Sequence, residues 1–402
     1  MDIGLGTSLD KNPLVAVKEA LRQAKAGLGS ETADISIVFA SGDFSYSSIL
    51  KTIAGLMPGI TIIGSSGTGI ISSHGIQQHG LSLLLIRLSD EMYIHSSYSD
   101  NLSSKESMRA GENLGEKLIT GLHNIPRSFS TVFYNGSMGE SSNFAYGLQE
   151  KLGRSFPLIG AFLTDPIHAL RTHLYLNQEA FTDACVGMVW GGKINFGIGT
   201  KHGWKPLGRP HTVTSSVGNV VSTIDDQPAV QLYADYLGIE VSKLKRELKH
   251  ISILYPIGLN IPGEEEYLLR NIVSIENDGS FICQGNVPEG TPIRIMIGTI
   301  ETCLEAARQA AKEAAGNFSG PIMGYKKQQI KQFALVFSSF SRYNLLKRLA
   351  GKEIEIIKAV LGTEIPITGV YTSGELAPLR ESAYRGQLYF HNQTVTIVII
   401  GG

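Results

Sequence analysis

The amino-acid sequence predicts an α/β protein, with α+β as the alternative, in which mixed sheets are covered by helices. Three observations predict it. Short apolar runs such as LSLLLI (81–86) and TVTIVII (394–400) read as buried strands, being far below the roughly 18 apolar residues that a membrane helix needs. Between such runs lie segments with apolar residues every three or four positions, the spacing of a helix with one buried face. One order of elements, strand-helix-strand-helix-strand-strand, also recurs three times along the 402 residues.

The first unit opens with MDIGLGTS (1–8). A helix over residues 13–27 follows, with Val17, Ala20, Leu21, Ala24 and Leu28 on one face. Asp10 is its expected cap, and Pro13 suits a first turn. Then come the strand ISIVFAS (35–41), a helix around 46–57, the strand ITIIGSSGTG (60–69) and LSLLLI. The second unit opens with MYIHSSYSD (92–100), and its helix carries Leu114, Leu118 and Leu122. It continues through STVFYNG (130–136), a helix over 141–153, PLIGAFLTD (157–165) and ACVGMVW (184–190).

The third unit is expected to open with PIRIMIGT (292–299). Its helix sets Cys303, Ala306, Ala307, Ala310, Ala311 and Ala314 on one face, small residues that suit close packing on a sheet. FALVFSS (333–339), a helix across 345–362, PITGVYTSGE (366–375) and TVTIVII complete it. Phe39, Phe133 and Phe337 align near the ends of the second strands, and Gly64, Gly160 and Gly369 align in the third. Strand-helix-strand order implies crossovers and partly parallel sheets. The material between the second and third units differs. It alternates like β-structure, adds a charged helix face at KLKRELKH (243–250), and holds a hairpin turn at NDGS (277–280). Two domains are expected, with a boundary near residue 222.

A formal net charge of -1 argues against a broad nucleic-acid surface. Cys185, Cys283 and Cys303 are odd in number and far apart, which fits a reducing, cytoplasmic setting. His74 and His79 have no acidic or cysteine ligand near them in sequence, so neither a metal nor another cofactor is expected. Nucleophile-elbow, P-loop and zincin patterns are absent, and GLGTSL lacks the third glycine of a dinucleotide loop.

The matched strand ends carry the functional reading. Second strands end in Ser41-Gly42-Asp43, Asn135-Gly136-Ser137 and Ser338-Ser339. Third strands end in Ser65-Ser66-Gly67, Thr164-Asp165 and Thr372-Ser373-Gly374-Glu375. Ligands of open α/β sheets bind beyond the carboxyl ends of strands, and hydroxyls and amides there suit a small polar ligand. The same residues also serve as ordinary caps and turns. Glu375 suits an ammonium contact, a general base or a buried pair with Arg270, Arg342 or Arg380. A regular strand would put Tyr371, Ser373 and Glu375 on one face, and His202 lies beside Trp204 in KHGWKP.

Several stretches resemble the FIST family over about residues 30 to 390. They are PGITIIGSSGTGII (58–71), FPLIGAFLTDP (156–166), VGMVWGGKINFGIGTKHGWKPLGRPHTVT (186–214), YPIGLNIPGEEEYLLRNIVSIENDGSFICQGNVPEGTPIRIM (255–296) and GVYTSGELAPL (369–379). The resemblance implies an N-terminal FIST domain over residues 1–222 and a C-terminal one over 223–402. It implies a sensory module of signal transduction that binds a small molecule such as an amino acid. Relatives are often fused to output domains or an F-box. This sequence shows neither, so an unidentified signalling partner protein is expected to relay the signal. Ser65 and Ser373 stand where the family often has cysteine, so a thiol role is not expected. Ser65, Ser66, Asp165, His202, Tyr371, Ser373 and Glu375 are the expected ligand contacts. An enzyme working in the same inter-domain pocket and a protein-interaction scaffold are the competing readings.

Overall fold

A computed structural model describes residues 1–102, 106–135, 141–164, 171–318, 330–379 and 387–402. The first unit runs β1 (Asp2–Ser8), α1 (Pro13–Leu28), β2 (Ile35–Ser41), α2 (Tyr46–Leu56), β3 (Thr61–Gly67), the hairpin β4 (Ile70–Ser72) and β5 (Gly75–Gln77), and β6 (Leu81–Arg87). The second repeats this as β7 (Met92–Asp100), α3 (Ser107–Thr120), β8 (Arg127–Tyr134), α4 (Ser141–Leu152), β9 (Leu158–Phe162), the hairpin β10 (Leu174–Leu176) and β11 (Glu179–Phe181), and β12 (Ala184–Gly192). The third opens with β13 (Asn195–Lys201).

An insertion follows: β14 (Lys205–Val217), β15 (Val220–Ile224), β16 (Gln227–Pro228), α5 (Ala229–Leu237), α6 (Val241–Leu254), β17 (Ile257–Leu259), β18 (Leu268–Arg270), β19 (Ile272–Ile275), β20 (Phe281–Cys283) and β21 (Pro292–Ile297). The third unit then resumes with α7 (Ile300–Asn317), β22 (Gln332–Ser339), α8 (Phe340–Leu346), α9 (Ala350–Leu361), β23 (Ile367–Thr372), the hairpin β24 (Gly374–Pro378) and β25 (Leu388–His391), and β26 (Val395–Gly401).

Each unit forms a mixed sheet and gives its hairpin to another. The orders are β1-β6-β2-β3-β10-β11, β7-β12-β8-β9-β24-β25 and β13-β26-β22-β23-β4-β5. The pairs β2–β3, β8–β9 and β22–β23 are parallel and the other pairs antiparallel. All three sheets turn one face to a common core that includes Phe39, Phe133, Phe337, Ile70, Leu174 and Val370. Their outer faces are covered by α1 with α2, α3 with α4, and α7 with α9. Burial on both faces is why the strands read as unbroken apolar runs.

The aligned landmarks occupy equivalent places. Gly64, Gly160 and Gly369 stand opposite Val38, Val132 and Val336 in the parallel pairs. The phenylalanine after each valine points into the common core. Phe39 meets Phe133 and Phe337 edge-on at 5.6 and 6.4 Å, and Phe133 meets Phe337 at 5.8 Å. Such edge-to-face pairs add about 0.5–1.5 kcal/mol each beyond area burial.

The expected opening of the third unit is corrected. Pro292–Ile297 pairs with β14 and β17 in the eight-stranded antiparallel sheet of the insertion, and β13 takes the first-strand place beside β26. A sequence signal for this existed. Gly197-Ile198-Gly199-Thr200 repeats Gly4-Leu5-Gly6-Thr7. A Cβ on Gly4 or Gly6 would lie 1.8 or 1.9 Å from the Ala24 or Ala20 carbonyl oxygen, and one on Gly197 or Gly199 would lie 2.1 or 2.0 Å from that of Ala314 or Ala310. A helix with an alanine face therefore needs glycines on its strand, and β13 has them. Residue 222 falls inside β15 of that eight-stranded sheet. Two local readings also shift. The cap of α1 is Asn12, whose Oδ1 accepts from the Leu14 N–H at 2.9 Å, and the helix expected across 345–362 is broken into α8, a 3₁₀ turn at Lys347–Leu349 and α9.

Candidate functional site

A cavity of about 590 Å³ opens at the carboxyl ends of β2, β3 and β23. The turn after β2 brings Ser41, Gly42 and Asp43, and the turn after β3 brings Thr68 and Gly69. His79 stands just before β6, whose neighbour in the sheet is β2. The third unit contributes Phe340, Tyr343 and Tyr371. The cavity therefore lies between two units, where the hairpin β4–β5 crosses from one sheet to the other.

Three residues lining this cavity each hold a buried polar atom with no hydrogen-bond partner among the described residues: Thr68 Oγ1, His79 Nε2 and the Tyr371 hydroxyl. An unpaired buried polar group costs about 1–3 kcal/mol, so three such groups around one cavity make it the candidate site. His79 Nδ1 lies 3.2 Å from Asp43 Oδ2, and the ring meets Phe44 edge-on at 4.9 Å. The carboxylate engages Nδ1, which leaves Nε2 as the ring nitrogen without a partner among the described residues. Burial, followed by the Glu353 charge, holds the Tyr371 phenol well above its ordinary range, so its hydroxyl stays a neutral donor. Tyr371 also meets Tyr343 edge-on at 5.2 Å, and the Gln78 amide donates to the Tyr343 hydroxyl at 2.6 Å.

Of the residues expected from sequence, Tyr371 lines this cavity. Ser65 is buried with an unpartnered hydroxyl but is not part of the lining. Ser66 exchanges hydrogen bonds with the backbone of His173: its Oγ accepts from the His173 N–H at 2.8 Å. Asp165 lies outside the described residues. Ser373 is held by the Thr164 hydroxyl, its N–H donates to the Phe162 carbonyl at 2.8 Å, and its own carbonyl accepts from the Gln284 amide.

His202 is buried, which pushes its imidazole down to about 4. Its Nδ1 accepts from the Trp204 N–H at 2.9 Å, so its Nε2, 3.4 Å from Glu266 Oε2, carries the proton. Trp204 is buried as well, its indole N–H donating to the Ile253 carbonyl at 3.0 Å.

Glu375 is absent from the cavity lining, and the expectation of a shared face with Tyr371 is corrected. The strand does not stay regular: the chain leaves one sheet at Thr372 and enters another at Gly374. Opposite Ala161, Glu375 takes the register place that Ile70 and Leu174 hold opposite Val370 and Ser65. Both counterparts belong to the common core. A carboxylate thus occupies one of three equivalent core positions. The hydroxyls of Thr372 and Thr394 donate to its two oxygens. Burial pushes the carboxyl up to about 7, against the lowering effect of those hydroxyls and the Arg342 charge.

Among the three arginines expected as partners, Arg342 is the one whose charge acts on Glu375. It is itself fully buried and paired with Glu353, Nε to Oε1 at 2.9 Å. Arg342 also donates to the carbonyls of His202 and Cys303 at 2.6 and 2.8 Å, and Ser338 Oγ donates to Glu353 at 2.7 Å. Arg270 is spent on backbone carbonyls of Leu269, Asn286 and Phe390, and Arg380 lies outside the described residues.

Asp43, Thr68 and His79 were not singled out as ligand contacts from sequence. Ser41-Gly42-Asp43 was visible as a strand end. The pairing of β2 with β6, which brings His79 beside it, was not. Among the described residues no helix is long and apolar enough to cross a membrane, and no group of three or more His, Cys, Asp or Glu side chains is placed to hold a metal ion.

Among solved structures, the chain is similar to a cyanuric acid hydrolase from A. caulinodans, with 9% identity and a TM-score of 0.38 over 99% of this chain and 98% of that one. A second cyanuric acid hydrolase matches with 8% identity and a TM-score of 0.35 over 100% and 99% of the two chains. Among curated relatives, an uncharacterized protein of Mycobacterium tuberculosis is 24% identical over 213 residues, covering 52% of each chain. The chain spans about half the length of the mycobacterial relatives it matches. An uncharacterized protein of Methanocaldococcus jannaschii is 24% identical over 374 residues, covering 86% of this chain and 70% of that protein. The FIST N domain model matches residues 34–227 and the FIST C domain model residues 229–378, and the chain belongs to the FIST family.

Proposed function

We propose that this protein is a sensory module of signal transduction that binds a small polar metabolite, such as an amino acid, in the cavity between its first and third units. FIST domains are sensory domains of signalling proteins, which supports the class of function. The observation that carries the site is that three residues lining one cavity, Thr68, His79 and Tyr371, each hold a buried polar atom without a partner among the described residues. Asp43 adds a carboxylate for an ammonium group, and the rings of Phe340, Tyr343 and Tyr371 give apolar walls. Among the expected contacts, Tyr371 lines the cavity, while Ser66 is tied to the His173 backbone and Ser65 is absent from the lining. A partner protein reads the bound state at the surface. The three cysteines are buried free thiols, which supports a reducing compartment such as the cytoplasm.

A thermal-shift screen against amino acids and common metabolites tests the reading, since ligand at 100 times its dissociation constant adds about 2.7 kcal/mol. A hit titrated into Asp43→Asn, His79→Gln and Tyr371→Phe is expected to bind more weakly, by about 1.5–3 kcal/mol where a charged hydrogen bond is lost. Unchanged affinity in all three variants would remove the ligand from this cavity. The Asp43–His79 pair also favours a second reading, acid–base chemistry on a bound substrate. Consumption of the hit by the wild type, abolished in His79→Gln, would select it.

A further inference from the structure

A second cavity, of about 840 Å³, lies between α6 and the end of α8. Its charged lining is cationic throughout: Lys249 near the end of α6, and Lys347 and Arg348 on the 3₁₀ turn, with the His250 imidazole beside them. Among the described residues no carboxylate lines it. Lys249, Lys347 and Arg348 make no ion pair among the described residues. Three cations around one cavity without a lining carboxylate repel one another, and an anion relieves that repulsion.

The rest of the wall narrows the class of anion. Ile253, Leu254, Phe340 and Tyr343 supply apolar and aromatic surface, and Phe340 and Tyr343 stack at 5.5 Å with 19° between their planes. The carbonyl end of α6 would ordinarily disfavour an anion. Here it is covered by donors: the Ile253 carbonyl accepts from the Trp204 indole N–H at 3.0 Å and from Gln393, and the Leu254 carbonyl accepts from the Gly298 N–H at 3.2 Å. Lys347 is held at φ 51 and ψ -117, a region seldom used by a residue with a side chain. Its N–H donates to the Tyr343 carbonyl, which ties the cationic turn to the aromatic wall.

We infer that this cavity is a second binding site, for a small organic polyphosphate of the nucleoside diphosphate class. The phosphates lie among Lys249, Lys347 and Arg348, and the ring lies against the Phe340–Tyr343 wall. The site is separate from the cavity assigned to the sensed metabolite and does not rest on that assignment, although both share Phe340 and Tyr343.

Titration calorimetry of the full chain with ADP, pyrophosphate and adenosine tests it. ADP is expected to bind with a dissociation constant below about 1 mM, more tightly than pyrophosphate, and to weaken as salt is raised. Adenosine alone is expected to show no binding in that range. The double variant Lys249→Gln, Arg348→Gln alters exposed side chains only, so its melting curve should match the wild type, while its ADP affinity falls at least about tenfold. Asp43→Asn should bind ADP as the wild type does. Absence of ADP binding, equal binding of adenosine, full affinity in the double variant, or loss of ADP binding in Asp43→Asn would each overturn the inference.

Discussion

Glu375→Gln isolates the cost of holding a carboxylate in a position that is otherwise core. The side chain is fully buried, its register counterparts are Ile70 and Leu174, and its oxygens are taken by two threonine hydroxyls. Glutamine keeps the shape, and a threonine hydroxyl can turn to accept from the new amide. Burial raises the folded carboxyl from its ordinary 4.5 to about 7. The folded state therefore holds a proton that the unfolded chain has released between those limits, so stability is present below about 4.5 and falls as pH rises toward 7. At about 1.4 kcal/mol per pH unit, that interval amounts to about 3 kcal/mol. Denaturant unfolding of wild type and variant, run side by side across it, removes the contribution of other titrating groups. The wild type should lose about 3 kcal/mol relative to the variant from about pH 4.5 to pH 7, with no further change above. Affinity for a ligand found in the metabolite screen should stay unchanged, because Glu375 does not line that cavity. A stability difference that is constant from about pH 5 to pH 8 would refute the reasoning, since it would mean that Glu375 titrates alike in the folded and unfolded chain.

The aligned glycines should separate by the space behind them. A Cβ at Gly64 or Gly369 would lie 1.8 Å from the Val38 or Val336 carbonyl oxygen, whereas at Gly160 it would lie 3.0 Å from that of Val132. Gly64→Ala and Gly369→Ala are expected to prevent folding or cost more than about 3 kcal/mol, and Gly160→Ala to cost less, as read from melting temperatures. Equal losses at all three would contradict the geometry. Glu353→Gln leaves the buried Arg342 guanidinium without its anion and should cost about 3–5 kcal/mol in unfolding experiments. An unchanged midpoint would show that the pair contributes nothing.

The sequence by itself determined the repeated unit and most of its elements. Period-two and period-3.6 patterns report which face of a strand or helix is buried, and that is a local property. The face of α1 from Val17 to Leu28, the alanine face of α7 and the equivalent places of Phe39, Phe133 and Phe337 were all legible for that reason. The opening of the third unit was misread because the insertion separates β13 from α7 by about a hundred residues, although the Gly-x-Gly-Thr repeat marked it. Tyr371 was legible as a candidate, as the last aromatic of a strand ending in a polar turn, and it lines the cavity. Its companions Asp43, Thr68 and His79 were not. They meet it only because β4 pairs with β23, a partner some three hundred residues away. The same exchange of hairpins puts Glu375 opposite Ala161, inside the common core and away from the cavity. Which sheet accepts a hairpin depends on long-range register and on the shape of the shared core, and neither leaves a period in the chain. The tertiary structure alone therefore decided that GVYTSGELAPL divides, its tyrosine to a cavity and its glutamate to the core.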